Sequence, residues 1–192
     1  MTRKALILAV LLSAAPAASL AQTLDVGHSQ LEMTGTAPSA CVISAPTSVS
    51  GINATMAVTS AQSAQVTITQ LVDQTTAEPL AASIVLSLPI ICNTAHTVTV
   101  TTANGGLARV SGNQRNSNVT NGFREFLPYQ VDAVWAGRSV TGDSQTQPPV
   151  SIVVPNGAAG DLSLTVAVPA GGAPLIAGAY ADSLVIQLQV AS

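Results

Sequence analysis

Two cysteines, Cys41 and Cys92, and two histidines, His28 and His96, are the residues of this chain best suited to soft-metal ligation or to proton transfer near neutral pH. Neither pair has a spacing that points to such chemistry. There is no Cys-x-x-Cys to depress a thiol pKa, no His-x-His or His-x-x-x-His to hold a metal, and no acidic loop of the EF-hand kind. His28 lies in an N-terminal segment. His96, in Asn93-Thr94-Ala95-His96 at the approach to a strand, reads as a solvated loop histidine. Asn104-Gly105-Gly106 lacks the lysine and the following helix of a phosphate loop. We therefore expect no catalytic, cofactor-binding or metal-binding residues, and an exported hydrolase is disfavoured for want of a convergent set of titratable groups.

The start of the chain assigns a compartment in which the cysteines make sense. Arg3 and Lys4 precede an apolar run over residues 5–12 and a small-residue stretch ending Ser19-Leu20-Ala21, the layout of a secretory signal peptide over residues 1–21. The run is short for a membrane span, and later apolar runs are broken by Thr, Ser, Gln or Gly, so no membrane insertion of the mature chain is expected. In an exported chain, two cysteines with no further ligands point to one disulfide, Cys41 to Cys92.

The remaining length of about 170 residues suits one domain. After residue 21 the chain carries four arginines, 109, 115, 124 and 138, against six aspartates and three glutamates, a net charge of −5. Four scattered arginines form no basic stripe, which argues against nucleic acid as a partner. Charged residues make up only 8% of the chain, a surface expected inside an assembly rather than on a free cytoplasmic enzyme.

The elements that must position these residues are strands. From residue 64 onward the apolar positions keep a period of two. Val66, Ile68 and Val72 are expected on one strand face, and Ile84, Leu86, Leu88, Ile90 and Cys92 on another, with the sulfur pointing into a core. Val98 and Val100 lead to Asn104-Gly105-Gly106, a hairpin or tight-turn signal. The alternation resumes through Tyr129, Val131, Ala133 and Trp135, then Val150, Ile152 and Val154, then Leu162, Leu164, Val166 and Val168. Short, evenly spaced strands of this kind imply an all-β sandwich. Residues 111–122 and 137–149 read as exposed loops. Before Cys41 the pattern is irregular: Leu24 and Val26 keep one phase, Leu31 and Met33 the other, with residues 27–30 between them.

The tail reads Gly178-Ala-Tyr180-Ala-Asp182-Ser183-Leu184-Val-Ile186-Gln-Leu188-Gln-Val190, with Leu184, Ile186, Leu188 and Val190 on one face. It resembles the spore coat protein U family, which includes subunits of archaic, Csu-type chaperone–usher pili and whose tail follows Gly-x-Tyr-x-Asp-(Ser/Thr)-(Leu/Val)-x-(Val/Ile)-x-(Leu/Val). Cys41, Cys92 with its following strand, and Leu127-Pro128-Tyr129-Gln130-Val131 before Trp135 fall in matching order. One departure is Val49-Ser50-Gly51-Ile52, which carries no aromatic where the family often has Phe-Gly.

The resemblance implies an immunoglobulin-like sandwich lacking its final strand and completed by donor-strand complementation. It implies a donor-strand segment over residues 22–38, with Leu24, Val26, Leu31 and Met33 as its apolar residues, and a pilin domain over residues 39–192. Leu184, Ile186, Leu188 and Val190 would then line the acceptor groove. The partners implied are a periplasmic chaperone, an outer-membrane usher and neighbouring subunits, on a route through the periplasm to a cell-surface fimbria that supports adhesion and biofilm growth. The alternative from the sequence is a secreted or surface-displayed adhesive sandwich that binds a ligand through its loops, residues 111–122 foremost.

Overall fold

The computed structural model describes residues 31–191. The expected signal peptide, Leu24, Val26 and His28 lie outside them. The chain divides into Met1–Thr36 and Ala37–Ser192. Of the first unit, residues 31–36 are described: they have no regular structure, and Leu31 and Met33 are 85% and 88% exposed.

The second unit is all-β. Its strands are β1 (Cys41–Ile43), β2 (Thr47–Ile52), β3 (Ala54–Ser60), β4 (Ser63–Ile68), β5 (Ala82–Cys92), β6 (His96–Thr102) and β7 (Leu107–Arg109). They continue with β8 (Phe126–Leu127), β9 (Gln130–Trp135), β10 (Arg138–Asp143), β11 (Val150–Val154), β12 (Ala158–Val168), β13 (Tyr180–Ala181) and β14 (Leu184–Val190). No helix among the described residues is long and apolar enough to cross a membrane.

One antiparallel sheet runs β1-β5-β12-β9-β10, with β2 pairing the other half of β5. A second runs β11-β6-β14. Their inner faces share one core, as in a β-sandwich. The period-two pattern explains the assignment directly: Ala82, Ile84, Leu86, Leu88, Ile90 and Cys92 point inward from β5, and Val131, Ala133 and Trp135 from β9. From the second sheet come Val98, Val100, Val150, Ile152 and Val154.

Pro89, inside the central strand β5, is compatible with this pairing. A strand residue sends its N–H and C=O to the same side, and Pro89 O accepts from Ser44 N at 2.9 Å. The missing N–H therefore faces the break between β1 and β2, where no ladder partner is required.

Four details depart from the sequence reading. Residues 137–149, expected as an exposed loop, contain the strand β10 (Arg138–Asp143) paired with β9 across the tight Ala136-Gly137 connection, followed by the fully buried Ser144. Among the described residues regular structure begins at Cys41 rather than near residue 64, because β1 and β2 pair with β5, and β3 with β4. The expected common face of Val66, Ile68 and Val72 does not form: Val66 is 41% exposed on β4, Ile68 is half-buried, and Val72 makes an isolated bridge to Pro79. Asn104-Gly105-Gly106 is a tight turn but not a hairpin, since β6 pairs with β11 and β14 while the chain passes on to β7 in a small sheet ordered β13-β7-β8.

Candidate functional site

The tail strand β14 pairs with β6 along its whole length, from Leu184 opposite Thr102 to Val190 opposite His96. Among the described residues it has no second ladder partner. Leu184, Ile186 and Leu188 turn toward the core and pack against it, yet each stays half-buried, and Val190 is 37% exposed.

Edge position alone does not explain this exposure. β11 is the other edge of the same sheet, and its inward residues Val150, Ile152 and Val154 are 0–5% exposed. The difference lies in what covers each edge. β11 is flanked by β9 and β10, whereas β14 faces the short β1, whose backbone comes within 8 Å of it and whose Cys41 and Ile43 are half-buried too. The result is an apolar strip beside a row of backbone N–H and C=O groups that lack ladder partners, a geometry suited to receiving another strand.

The residues just before β14 hold it in place. Asp182 Oδ1 accepts from Asn104 N and Ser183 N, both at 2.8 Å, and Oδ2 accepts from Gly106 N at 3.0 Å and from the Tyr129 hydroxyl at 2.8 Å. Ser144, fully buried, joins the same knot: its hydroxyl donates to Gly105 O at 2.8 Å and accepts from Tyr129 N at 3.0 Å. Burial first, and the bond to Asp182 second, push the Tyr129 phenol well above its ordinary range, so it stays protonated as a donor. This carboxylate clasp explains why the 104–106 turn does not close a hairpin: the N–H groups of Asn104 and Gly106 bond to Asp182 instead.

Tyr180, one turn of the motif earlier, donates its hydroxyl to Ile176 O at 2.8 Å, and burial raises its pKa as well. Gly178 is required by close approach, since a Cβ there would meet Arg109 Nε at 2.8 Å and its φ of +154° already disfavours a side chain.

At the other end of β14 sits the disulfide. Cys41 and Cys92 are directly opposite each other on β1 and β5 and are joined, as expected, with Cys92 2% exposed. His96 is where the sequence reading fails. Far from being solvated, it opens β6 and is fully buried. Trp135 Nε1 donates to its Nε2 at 2.9 Å, and its Nδ1 lies 2.8 Å from Thr94 O. With Nε2 accepting from Trp135, Nδ1 is the nitrogen left to donate to Thr94 O. Ligating atoms of Cys41, Cys92 and His96 lie within 4.8 Å of one another. Both sulfurs are spent in the disulfide and both ring nitrogens are engaged, so the trio acts as a packed staple for the core.

Thus the structure gathers Leu184, Ile186 and Leu188 on one face and joins Cys41 to Cys92, while Leu31 and Met33 stand exposed in the other unit. Sequence reasoning missed Asp182, Tyr129 and Ser144 as a unit, although the Tyr-x-Asp spacing next to a strand was a visible signal. Compared with known proteins, the chain matches no family model, no curated protein and no solved structure.

Proposed function

We propose that this chain is an exported structural subunit of an archaic chaperone–usher pilus, polymerised by donor-strand exchange. The observation that carries the reading is the edge strand β14, whose inward residues Leu184, Ile186 and Leu188 remain half-buried while those of the opposite edge strand β11 are shut off from water. In this reading the sandwich is immunoglobulin-like and lacks its final strand. The groove is filled first by a periplasmic chaperone and then, at an outer-membrane usher, by residues 22–38 of the next subunit.

The energetics favour such filling. Each of Leu31 and Met33, moved from water into the groove, contributes roughly 1.5–3 kcal/mol, and each main-chain bond formed along β14 adds about 1 kcal/mol. Leu31 and Met33 share a phase with Gly35 and Ala37, so they are the central pair of the donor. Leu24 and Val26 keep the opposite phase and need a bulge or twist to reach the same face. The clasp at Asp182 sets the start of β14 and so fixes the register of the acceptor. In this role the chain is not an enzyme; it would serve adhesion and biofilm growth from the cell surface.

The test is a deletion of residues 23–34 in the exported chain. It should still bind its chaperone yet form no polymer, and polymer at normal levels would sink the proposal.

A further inference from the structure

The chain between β7 and β8, together with Ile176, lines a half-open pocket of about 390 Å³ whose walls are Gln114, Thr120, Asn121, Phe123, Glu125 and Ile176. That volume lies within the range of small-ligand sites. We infer that this pocket binds a neutral pyranose-sized sugar, with the ring stacked on Phe123 and its hydroxyls on the Gln114, Asn121 and Glu125 side chains.

Three observations carry this. First, a tight turn sets part of the lining. Thr120 and Phe123 exchange both backbone hydrogen bonds, 2.7 and 3.0 Å, around Asn121 and Gly122 at φ +53° and +81°, so Asn-Gly forms a tight two-residue turn. Phe123 is thereby held 42% exposed, an uncommon position for one of only two phenylalanines. Second, the polar groups are unspent. Gln114 Nε2 donates to Thr120 Oγ1 at 2.8 Å, but its Oε1 is shut away from solvent with no partner. A buried orphan acceptor calls for an explanation, and rotation of the amide toward a ligand hydroxyl would supply its missing bond. Glu125 Oε1 is taken by Arg109 at 2.7 Å, while Oε2 makes no hydrogen bond. Third, the charge is balanced. The Arg109 ion pair neutralises Glu125, no arginine or lysine lines the pocket, and the neighbouring exposed Arg115 guanidinium is turned onto the Gly112 and Gln114 carbonyls, so an anionic ligand finds little counter-charge. The exposed Phe123 ring and Asn121 amide beside the half-buried Glu125 carboxylate match the apolar ring faces and vicinal hydroxyls of a neutral sugar.

The inference does not depend on polymerisation, and a chain that fails to assemble can still be tested. Saturation-transfer NMR would be run on the exported chain with the methyl pyranosides of glucose, mannose, galactose and N-acetylglucosamine, each at about 10 mM, and with glucose 6-phosphate as the charged comparison. The expected result is transfer to the ring C–H protons of at least one neutral glycoside, weakened about tenfold or more by Phe123→Ala. Asn121→Gly keeps the left-handed turn while removing the amide, and it should weaken transfer several-fold without unfolding the chain. No transfer from any neutral glycoside, transfer from the phosphorylated sugar alone, or transfer unchanged in both variants would overturn the assignment.

Discussion

Replacing Asp182 with alanine should destabilise the domain far more than a half-exposed surface carboxylate normally does. Asp182 receives four hydrogen bonds, from Asn104 N, Gly106 N, Ser183 N and the Tyr129 hydroxyl. The Ser183 bond is exposed and contributes little. The other three tie β14 to the β6–β7 turn and to the start of β9. Hydrogen bonds to a charged group contribute about 1.5–3 kcal/mol each, and an orphaned buried hydroxyl costs about 1–3 kcal/mol. Asp182 is half-exposed, so water softens these figures, and the net expected loss is roughly 3–4 kcal/mol. The sole tryptophan, Trp135, is buried and reports unfolding by fluorescence. In urea, with a slope of about 1–3 kcal/mol/M, the midpoint should fall by roughly 1–4 M at unchanged slope. Asp182→Asn keeps one acceptor and should lose less. Tyr129→Phe combined with Asp182→Ala should be less destabilising than the sum of the single changes, because both break one network. A loss under about 0.5 kcal/mol for Asp182→Ala, the range of an ordinary surface change, would refute the clasp.

The remaining predictions rest on separate contacts. Removing the disulfide by Cys41→Ala with Cys92→Ala frees a chain segment with a sequence separation of 51 and should cost about 4 kcal/mol by the chain-entropy argument, read as a lower urea midpoint and a lower yield of exported protein. His96→Phe leaves the Trp135 indole N–H buried without its acceptor, and a loss of roughly 1–3 kcal/mol is expected; no change in stability would contradict the buried pairing. The pH dependence follows from Tyr129, whose folded pKa lies above its unfolded value of about 10. Its proton is bound in both states below pH 10, so its full contribution is present there. Above that, the unfolded chain releases the proton while the folded one keeps it. Tyr129 should then lower stability by about 1.4 kcal/mol per pH unit; Tyr180, raised by burial as well, adds a loss of the same sign, so Tyr129→Phe should make the alkaline fall shallower without abolishing it. An identical alkaline profile in the variant would argue against this assignment.

The inward residues of β5, β6, β9, β11, β12 and β14 were legible because apolar and polar residues alternate with high contrast in those strands. The N-terminal strands were not. In β2, β3 and β4, Thr, Ser and Ala dominate, and residues so close in hydropathy give no clear period. Pairing was also hidden: β6 lies between β11 and β14, strands distant in sequence, and no local pattern encodes that neighbourhood. His96 illustrates the general difficulty. A histidine beside Asn-Thr looks solvated until the fold brings Trp135, 39 residues away, against its free nitrogen. The contacts of Asp182 span 53 to 78 residues, so the motif Tyr-x-Asp could be seen while its bonding could not. The disulfide was readable because two cysteines behind an expected export signal leave one pairing.

Amide hydrogen exchange along β14 reports whether that open edge receives a strand. The chain lacking residues 23–34 would be measured alone and with a synthetic peptide of residues 22–38. If residues 22–38 are the donor strand, the peptide binds and the amides of residues 184–190 not bonded to β6 slow by about tenfold or more, equivalent to at least about 1.4 kcal/mol of added protection. A peptide that does not bind, or that binds while β14 exchanges unchanged, would contradict the donor-strand proposal.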